Sequence, residues 1–331
     1  MRAIPIACSL VVYLLAAIAG GQERVAFTDI EQAGADYSFQ GEYQGVVRFG
    51  GRLVKSKAGL QVIALGNGKF RGNLLAGGLA GAGWDNATQI ELNGVRSREQ
   101  LTLSGDIFTV LIEAGVANVT STHSHSKSWG RLKRVVRQSV TMGMPAPKEA
   151  VVLFAGEATE QLVDARITDK GLLMEGVLTR PVVTDFRLHL EFRTPFMPNS
   201  VGQARGNSGV YIQQRYEVQV LDSFGLAGVH NECGGIYRQR PPQMNMALPP
   251  LVWQTYDIYF RAARFSDADK KTENARITIY HNGVAIHSNY ELTAKTGAGK
   301  PEGPQAMPIL LQNHSDPVRF RNFWLYHLPT Q

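Results

Sequence analysis

The run Arg205 to Gly225, RGNSGVYIQQRYEVQVLDSFG, sets polar, chemically able side chains against apolar ones in regular order. Successive side chains of a strand point to opposite faces. Val210 and Ile212 would therefore share one face, with Tyr211 and Gln213 on the other. Beyond Gln214-Arg215 the alternation resumes, Val218 and Val220 against Glu217 and Gln219. Such a two-residue break reads as a bulge, a feature that re-aims side chains and is common beside active sites. DFRLHLEFR alternates as strictly, with Phe186, Leu188, Leu190 and Phe192 opposed to Arg187, His189, Glu191 and Arg193.

Solvated strand faces favour Lys, Thr and Ser. Arg, Gln, Tyr and Glu suit planar hydrogen bonding to hydroxyls, so these two polar faces read as a carbohydrate-binding surface rather than an ordinary wet face. NECGGIYRQRPPQMNMALPPLVWQTYD adds a long segment rich in Gly, Pro and amides. Loops of that length in a compact domain are usually functional or disordered, and its aromatic content argues for function. Tyr237 and Trp253 are candidate platforms for a sugar ring. Cys233 has no partners at the spacing of a nucleophilic triad and reads as a packed thiol.

The elements that must carry these residues are strands. From Tyr43 to about Thr120, short β-like runs are separated by Gly and Asn, with Asn67-Gly68 a strong hairpin signature. Residues 25–120 are expected to form a small antiparallel β domain, with no site of its own. Residues 121–150 are low in acids, basic and end in prolines, the composition of a linker. His123 and His125 in that linker fall short of a metal site. Residues 151–331 are β-rich throughout, which predicts a two-sheet sandwich of jelly-roll type. The chain is thus expected to be all-β. Cleavage in the linker is expected to release an active C-terminal piece.

The first residues, MRAIPIACSLVVYLLAAIAGGQ, have a charged start, an apolar run and the small-x-small pattern Ala17-Ile18-Ala19. Residues 1–19 read as a secretory signal peptide. The run is shorter than the roughly 20 residues a spanning helix needs. An exported chain would keep one cysteine, Cys233, and stand on core burial without an internal disulfide. The formal charge is +6, yet Arg2, Lys127, Arg131, Lys133, Arg134 and Arg137 account for all six. What remains is neutral, which excludes a basic nucleic-acid-binding face.

DFRLHLEFRTPF, GNSGVYIQQRYEVQVLDSFG, NECGGIYRQRPPQMNMALPPLVWQTYDIYF and PILLQNHSDPVRFRNFWL, taken in order, resemble the 3-keto-disaccharide hydrolase domain family over about residues 151–325. The resemblance implies a concanavalin-like glucanase sandwich acting on glycosides whose 3-hydroxyl has been oxidised to a ketone. The N-terminal unit resembles accessory β domains found ahead of such modules. QNHSD departs from the family's usual QDHGN: Asn313 replaces an acid, and His314 is kept.

Sandwich glucanases of the laminarinase type carry Glu-x-Asp-x-Glu on one strand. Here Glu217-Val218-Gln219-Val220-Leu221 keeps only the first carboxylate. A retaining mechanism needs two, so that route is disfavoured. A 3-keto sugar offers another, because the ketone acidifies the C2 proton. A base removes that proton, the C1 oxygen leaves by elimination, and water adds back. The candidates are Glu217 or Glu191 as base, Arg193 at the enolate oxygen and His314 as acid. A divalent cation could replace the arginine, with Glu191, Glu217 and Asp222 as oxygen ligands. The expected substrate-binding residues are Arg187, His189, Arg193, Asn207, Tyr211, Gln213, Gln219, Tyr237, Trp253 and Asn313. The rival reading from another class is a non-catalytic carbohydrate-binding or scaffold module.

Overall fold

The computed structural model describes residues 24–49 and 55–329. The expected signal peptide over residues 1–19 lies outside the described residues. Among the described residues no helix is long and apolar enough to cross a membrane.

The first eight strands are β1 (Gly41–Val47), β2 (Ser56–Ala64), β3 (Lys69–Ala76), β4 (Gln89–Ser97), β5 (Gln100–Ser104), β6 (Phe108–Glu113), β7 (Val116–Ser121) and β8 (Ser124–Val135). Each pairs antiparallel with the next, and β8 returns to pair with β1, closing a barrel. Closure removes the sheet edges. One apolar cluster fills it, drawing Tyr43, Leu60, Phe70, Leu92, Val110 and Leu132 from six different strands. Asn67 and Gly68 turn β2 into β3 with φ of 54° and 71°, the left-handed conformation that the Asn-Gly pair predicted.

The 121–150 segment is not a linker for half its length, because β8 occupies it. Leu132 points into the barrel while Arg131 and Lys133 face water. Gly130 passes so close to β1 that a Cβ there would lie 2.5 Å from the Val46 carbonyl. Two of the cations, Arg134 and Arg137, lack acids nearby in sequence but find partners across the fold. Arg134 donates to the carbonyls of Ser38 (2.6 Å) and Gln40 (2.7 Å). Arg137 makes a two-bond fork onto Glu42, at 2.7 and 2.6 Å.

The remaining strands are β9 (Val151–Phe154), β10 (Leu162–Val163), β11 (Leu173–Met174), β12 (Val177–Val183), β13 (Phe186–Arg193), β14 (Ser208–Ile212), β15 (Tyr216–Val220), β16 (Gln254–Arg261), β17 (Arg264–Phe265), β18 (Lys271–Glu273), β19 (Ala275–His281), β20 (Val284–Leu292), β21 (Met307–Leu311) and β22 (Arg319–His327). One sheet runs β10-β12-β21-β14-β15; the other runs β11-β22-β13-β16-β19-β20, with β9 beside β22. Their facing side chains form one core. The first sheet supplies Val210, Ile212, Val218, Val220 and Leu311, and the second supplies Leu188, Leu190, Phe192, Ile258 and Ile279. Both alternations read from the sequence therefore hold.

The expected bulge is a hairpin turn. Gln213 and Gln214 take φ of 51° and 53°, and the Arg215 amide donates to the Ile212 carbonyl at 2.9 Å. Left-handed glutamines are uncommon, and neighbours hold these in place. The Gln213 amide donates to the Val183 carbonyl (2.7 Å) and accepts from Arg215 (3.1 Å). Gln213 thus fixes the turn and does not face a ligand site.

Barrel and sandwich share packing. Phe196 and Leu251, from the sandwich half of the chain, belong to the barrel's apolar cluster. Asn73 of β3 donates to the Gly225 carbonyl at 2.7 Å, and Arg205 reaches the Ala64 carbonyl at 3.2 Å.

Candidate functional site

On the face of the five-stranded sheet turned away from the core, β14 and β15 present Tyr211, Glu217 and Gln219 side by side. Tyr211 and Glu217 are register partners. Asn207 precedes β14, and Gln312 and His314 follow β21, the other neighbour of β14. These side chains line a cavity of about 310 Å³ together with Gln203, Tyr237, Arg238, Gly297 and Ala298. That is the size of a single small-ligand site.

The long segment after β15 supplies one wall because its backbone pairs with the strand. The Gln219 amide donates to the Gly235 carbonyl and Gly234 donates back to Gln219, both at 3.0 Å, while Tyr237 donates to the Glu217 carbonyl at 3.2 Å. Ile236 bridges Val218 antiparallel. The segment behaves as a short added edge strand, which places Tyr237 and Arg238 over Glu217. His287 supports it from behind, its Nε2 donating to the Gly234 carbonyl at 2.8 Å. Burial pushes the His287 imidazole down to about 4, so it is neutral near pH 7.

Among the described residues Glu217 is the only carboxylate lining this cavity. Its side chain is 3 % exposed, and burial pushes its carboxyl up to about 7. The Tyr211 hydroxyl, donating to Oε2 at 2.7 Å, opposes that shift without overcoming it. Tyr211 is itself raised, by burial first and then by the Glu217 charge. A carboxylate poised near 7 is a competent proton acceptor at neutral pH. The polar wall is ordered by a chain of bonds. Gln219 Nε2 donates to Asn207 Oδ1 (2.9 Å), Asn207 Nδ2 donates to the Gln203 carbonyl (2.8 Å), and the Asn207 amide donates to buried Asp316 (2.7 Å). Gln219 Oε1 and Gln312 Oε1 are buried acceptors without a partner among the described residues. A hydroxylated ligand brings the donors they lack.

Glycine at 209 is required by this geometry. A Cβ there would lie 2.6 Å from Glu217 Oε1 and 3.2 Å from Gln312 Oε1. Gly209→Ala should displace a flexible carboxylate rather than the backbone. We expect a rate loss on the order of 10²-fold, the scale of a 1 Å misplacement, with a melting temperature close to that of the parent. Activity assay beside thermal denaturation checks this, and a large stability loss would place Gly209 in the fold instead.

Six of the expected residues meet here: Asn207, Tyr211, Glu217, Gln219, Tyr237 and His314. The others lie elsewhere. Glu191 and His189 project from β13 in the other sheet, where residues 139–144 cover them. Glu191 accepts from the Gly143 amide (2.6 Å), Arg321 (2.6 Å) and Asn322 (2.9 Å). Although burial opposes ionisation, His189 and these donors hold its carboxyl down at about 2. A carboxylate so satisfied is a poor base. His189 is bonded to Asp257 at 2.9 Å, and Arg187 lies over the Tyr259 and Trp324 rings. Glu191, through the Gly143 amide, and Arg187, through the Met144 sulfur, dock the chain between barrel and sandwich.

Arg193 donates to the Thr28 carbonyl, and its guanidinium lies 5.1 Å from the Trp253 ring centroid, while that of Arg321 lies at 4.1 Å. Trp253 is thus engaged by arginines and lines none of the Glu217 cavity. Asn313 sits one step out, in an open groove that adjoins through Gln203 and His314. Asp222 is paired with Arg205 at 2.7 Å in the interior. Glu191, Glu217 and Asp222 therefore occupy three separate bonding environments and do not form a cation ligand set. Among the described residues no three His, Cys, Asp or Glu side chains gather to hold a metal ion.

Five lining positions were not among the expected site residues: Gln203, Arg238, Gly297, Ala298 and Gln312. Arg238 follows the expected Tyr237 directly and was legible as its neighbour. Gln203, in a short 3-10 turn, and the Gly297-Ala298 pair carry no sequence pattern that marks them.

Residues 148–326 match the family described as the 3-keto-alpha-glucoside-1,2-lyase-like domain. A crystal structure from Parabacteroides distasonis ATCC 8503, provisionally named a glycosyl hydrolase, is 31% identical, covering 55% of this chain and 85% of that one, with a TM-score of 0.50. A second structure from the same organism and under the same provisional name is 15% identical over 55% of this chain and 95% of that one, with a TM-score of 0.41. No curated protein matches the chain. The match spans the whole sandwich, from the chain entering β9 to the end of β22 and including every wall of the Glu217 cavity, so the chain belongs to the 3-keto-alpha-glucoside-1,2-lyase-like domain family.

Proposed function

We propose that the sandwich cleaves glycosides bearing a 3-keto group, by base-initiated elimination across C1–C2 followed by addition of water. The observation that carries this is a carboxylate, single among the described residues of the cavity, buried and raised to about 7. Two-carboxylate glycoside hydrolysis needs a second acid or base at the same site. Elimination needs one base.

In this reading the ionised Glu217 takes the C2 proton, and the electron pair moves into the C2–C3 bond, leaving an enolate at the ketone oxygen. Arg238 is the arginine at the cavity, and it replaces the expected Arg193 as the group that stabilises that oxygen. The enolate then expels the C1 oxygen, to which His314 delivers a proton at the rim. Tyr211 holds Glu217 in place, and Gln219, Asn207 and Gln312 orient the ring hydroxyls. Water adding across the resulting double bond completes a net hydrolysis. The sequence of residues 1–19 supports action outside the cytoplasm.

Turnover should require the ketone. The test is to incubate the protein with a 3-keto disaccharide and with its unoxidised parent, following release of the reducing sugar. Cleavage of the keto sugar alone is expected. Comparable cleavage of both sugars would overturn the elimination route, and binding of the keto sugar without turnover would favour a carbohydrate-binding module.

A further inference from the structure

A larger cavity, of about 610 Å³, lies where the barrel meets the sandwich, and it shares no lining residue with the Glu217 site. Clefts between domains are preferred places for small ligands, and this volume is in their usual range. Tyr37, Val136, Met142, Leu251, Val252 and Trp253 give it apolar walls. Among the described residues its ionised lining is unbalanced: Arg134, Arg137 and Arg321 against Glu42. Glu42 is taken by the Arg137 fork. Arg321 is bonded to Glu191 at 2.6 Å. Among the described residues Arg134 donates to main-chain carbonyls, those of Tyr37, Ser38 and Gln40, and no carboxylate is bonded to its charge.

Gln40 supplies a second and independent observation. It lines the cavity at 1 % exposure, and its Oε1 accepts from the Ala64 amide at 2.6 Å. That bond fixes the orientation of the amide and leaves the donor Nε2 buried without a partner among the described residues. A buried donor in that state is destabilising, and an acceptor on a ligand would answer it.

We propose that this cleft binds a small amphipathic carboxylate, with an aryl or alkyl body against Leu251 and Trp253 and the carboxylate towards Arg134 and Gln40. A polar sugar would leave the apolar walls unused. A neutral hydrocarbon would leave the guanidinium charge and the Gln40 donor unanswered.

The probe is 2-naphthoate, titrated calorimetrically into the full chain beside its neutral counterpart 2-naphthamide. One site is expected, with the carboxylate bound about tenfold more tightly, a difference of about 1.4 kcal/mol. Val136 is 76 % exposed, so Val136→Glu should keep the fold while setting a like charge at the cavity wall. It should weaken 2-naphthoate at least about tenfold and leave 2-naphthamide nearly unchanged. Saturating 3-keto sugar should not displace the probe, since the cavities are separate. Equal affinity for acid and amide, indifference to Val136→Glu, or displacement by the sugar would each overturn the proposal.

Discussion

Glu217→Gln is expected to lower turnover of a 3-keto glycoside by about 10²–10⁴-fold, the usual contribution of a general base. Glutamine keeps the shape of the side chain and still accepts the Tyr211 hydrogen bond, so ligand affinity should change little. The same substitution should stabilise the protein at alkaline pH. Burial raises the folded carboxyl to about 7 from an ordinary 4.5. The folded state therefore binds the proton more tightly than the unfolded chain does. Below about pH 4.5 both are protonated and the group is neutral in its effect. Between 4.5 and 7 stability is lost progressively as pH rises, and above 7 the cost is complete, at about 3 kcal/mol. Removing the charge should return that amount at pH 8 and nothing at pH 4. A more stable, inactive variant is the signature of a site that holds its base against solvation.

The pH profile of the parent enzyme follows from the same group. kcat/KM should fall about tenfold for each pH unit below about 7, because only the carboxylate form accepts the C2 proton. Glu191→Gln is the control. It removes the charge that Arg321 faces at 2.6 Å, so it should cost stability and leave the shape of the acid limb intact. Near-full turnover in Glu217→Gln combined with loss in Glu191→Gln would exchange the two roles. Full turnover in both would end the assignment of a base to either sheet.

The strands were legible because burial here follows the simplest pattern. Phe186, Leu188, Leu190 and Phe192 alternate with polar residues, and all four lie in the core. Tyr211, Glu217 and Gln219 were legible for the same reason, standing on the opposite face of neighbouring strands, whereas Tyr237 came from the aromatic content of the long segment and His314 from the family motif. What alternation does not reveal is which of two sheets a strand joins. The polar face of β13 and that of β14–β15 look alike in sequence, yet they lie in different sheets. One carries the cavity, and the other is covered by residues 139–144. The barrel's last strand was hidden for a related reason. Its inward positions include Gly130, small because the neighbouring backbone passes close, and its outward ones are cations that read as a solvated tail. Pairing partners such as Glu42, some 95 residues earlier in the chain, are invisible to local composition.

The closed barrel changes what cleavage between the two units should do. A C-terminal piece beginning near residue 151 looks self-sufficient from composition, but it would uncover Phe196 (0 % exposed) and Leu251 (4 % exposed), both members of the barrel's cluster. Exposing two such side chains costs about 1.5–3 kcal/mol each. The isolated piece would also lose Phe27, which pairs with Phe196 through two backbone bonds of 2.9 Å. The Gly225 carbonyl would lose Asn73, and Arg205 would lose the Ala64 carbonyl. Arg205 holds Asp222, immediately after β15, and stands two residues before Asn207, the residue that fixes Gln219. Slack at this edge therefore reaches the cavity wall directly. We expect the isolated sandwich to unfold at lower urea than the same region in the full chain. Where it stays folded, its kcat/KM should fall on the order of 10²-fold. Asn73→Ala in the full chain is the gentler form of the test. It leaves the barrel in place, deprives Gly225 of one donor at a cost of about 1–3 kcal/mol, and should lower kcat/KM by about tenfold. An isolated sandwich with the activity of the whole chain would make the barrel a passenger. Loss of activity in Asn73→Ala at unchanged stability would show instead that β3 reaches into the site through Gly225.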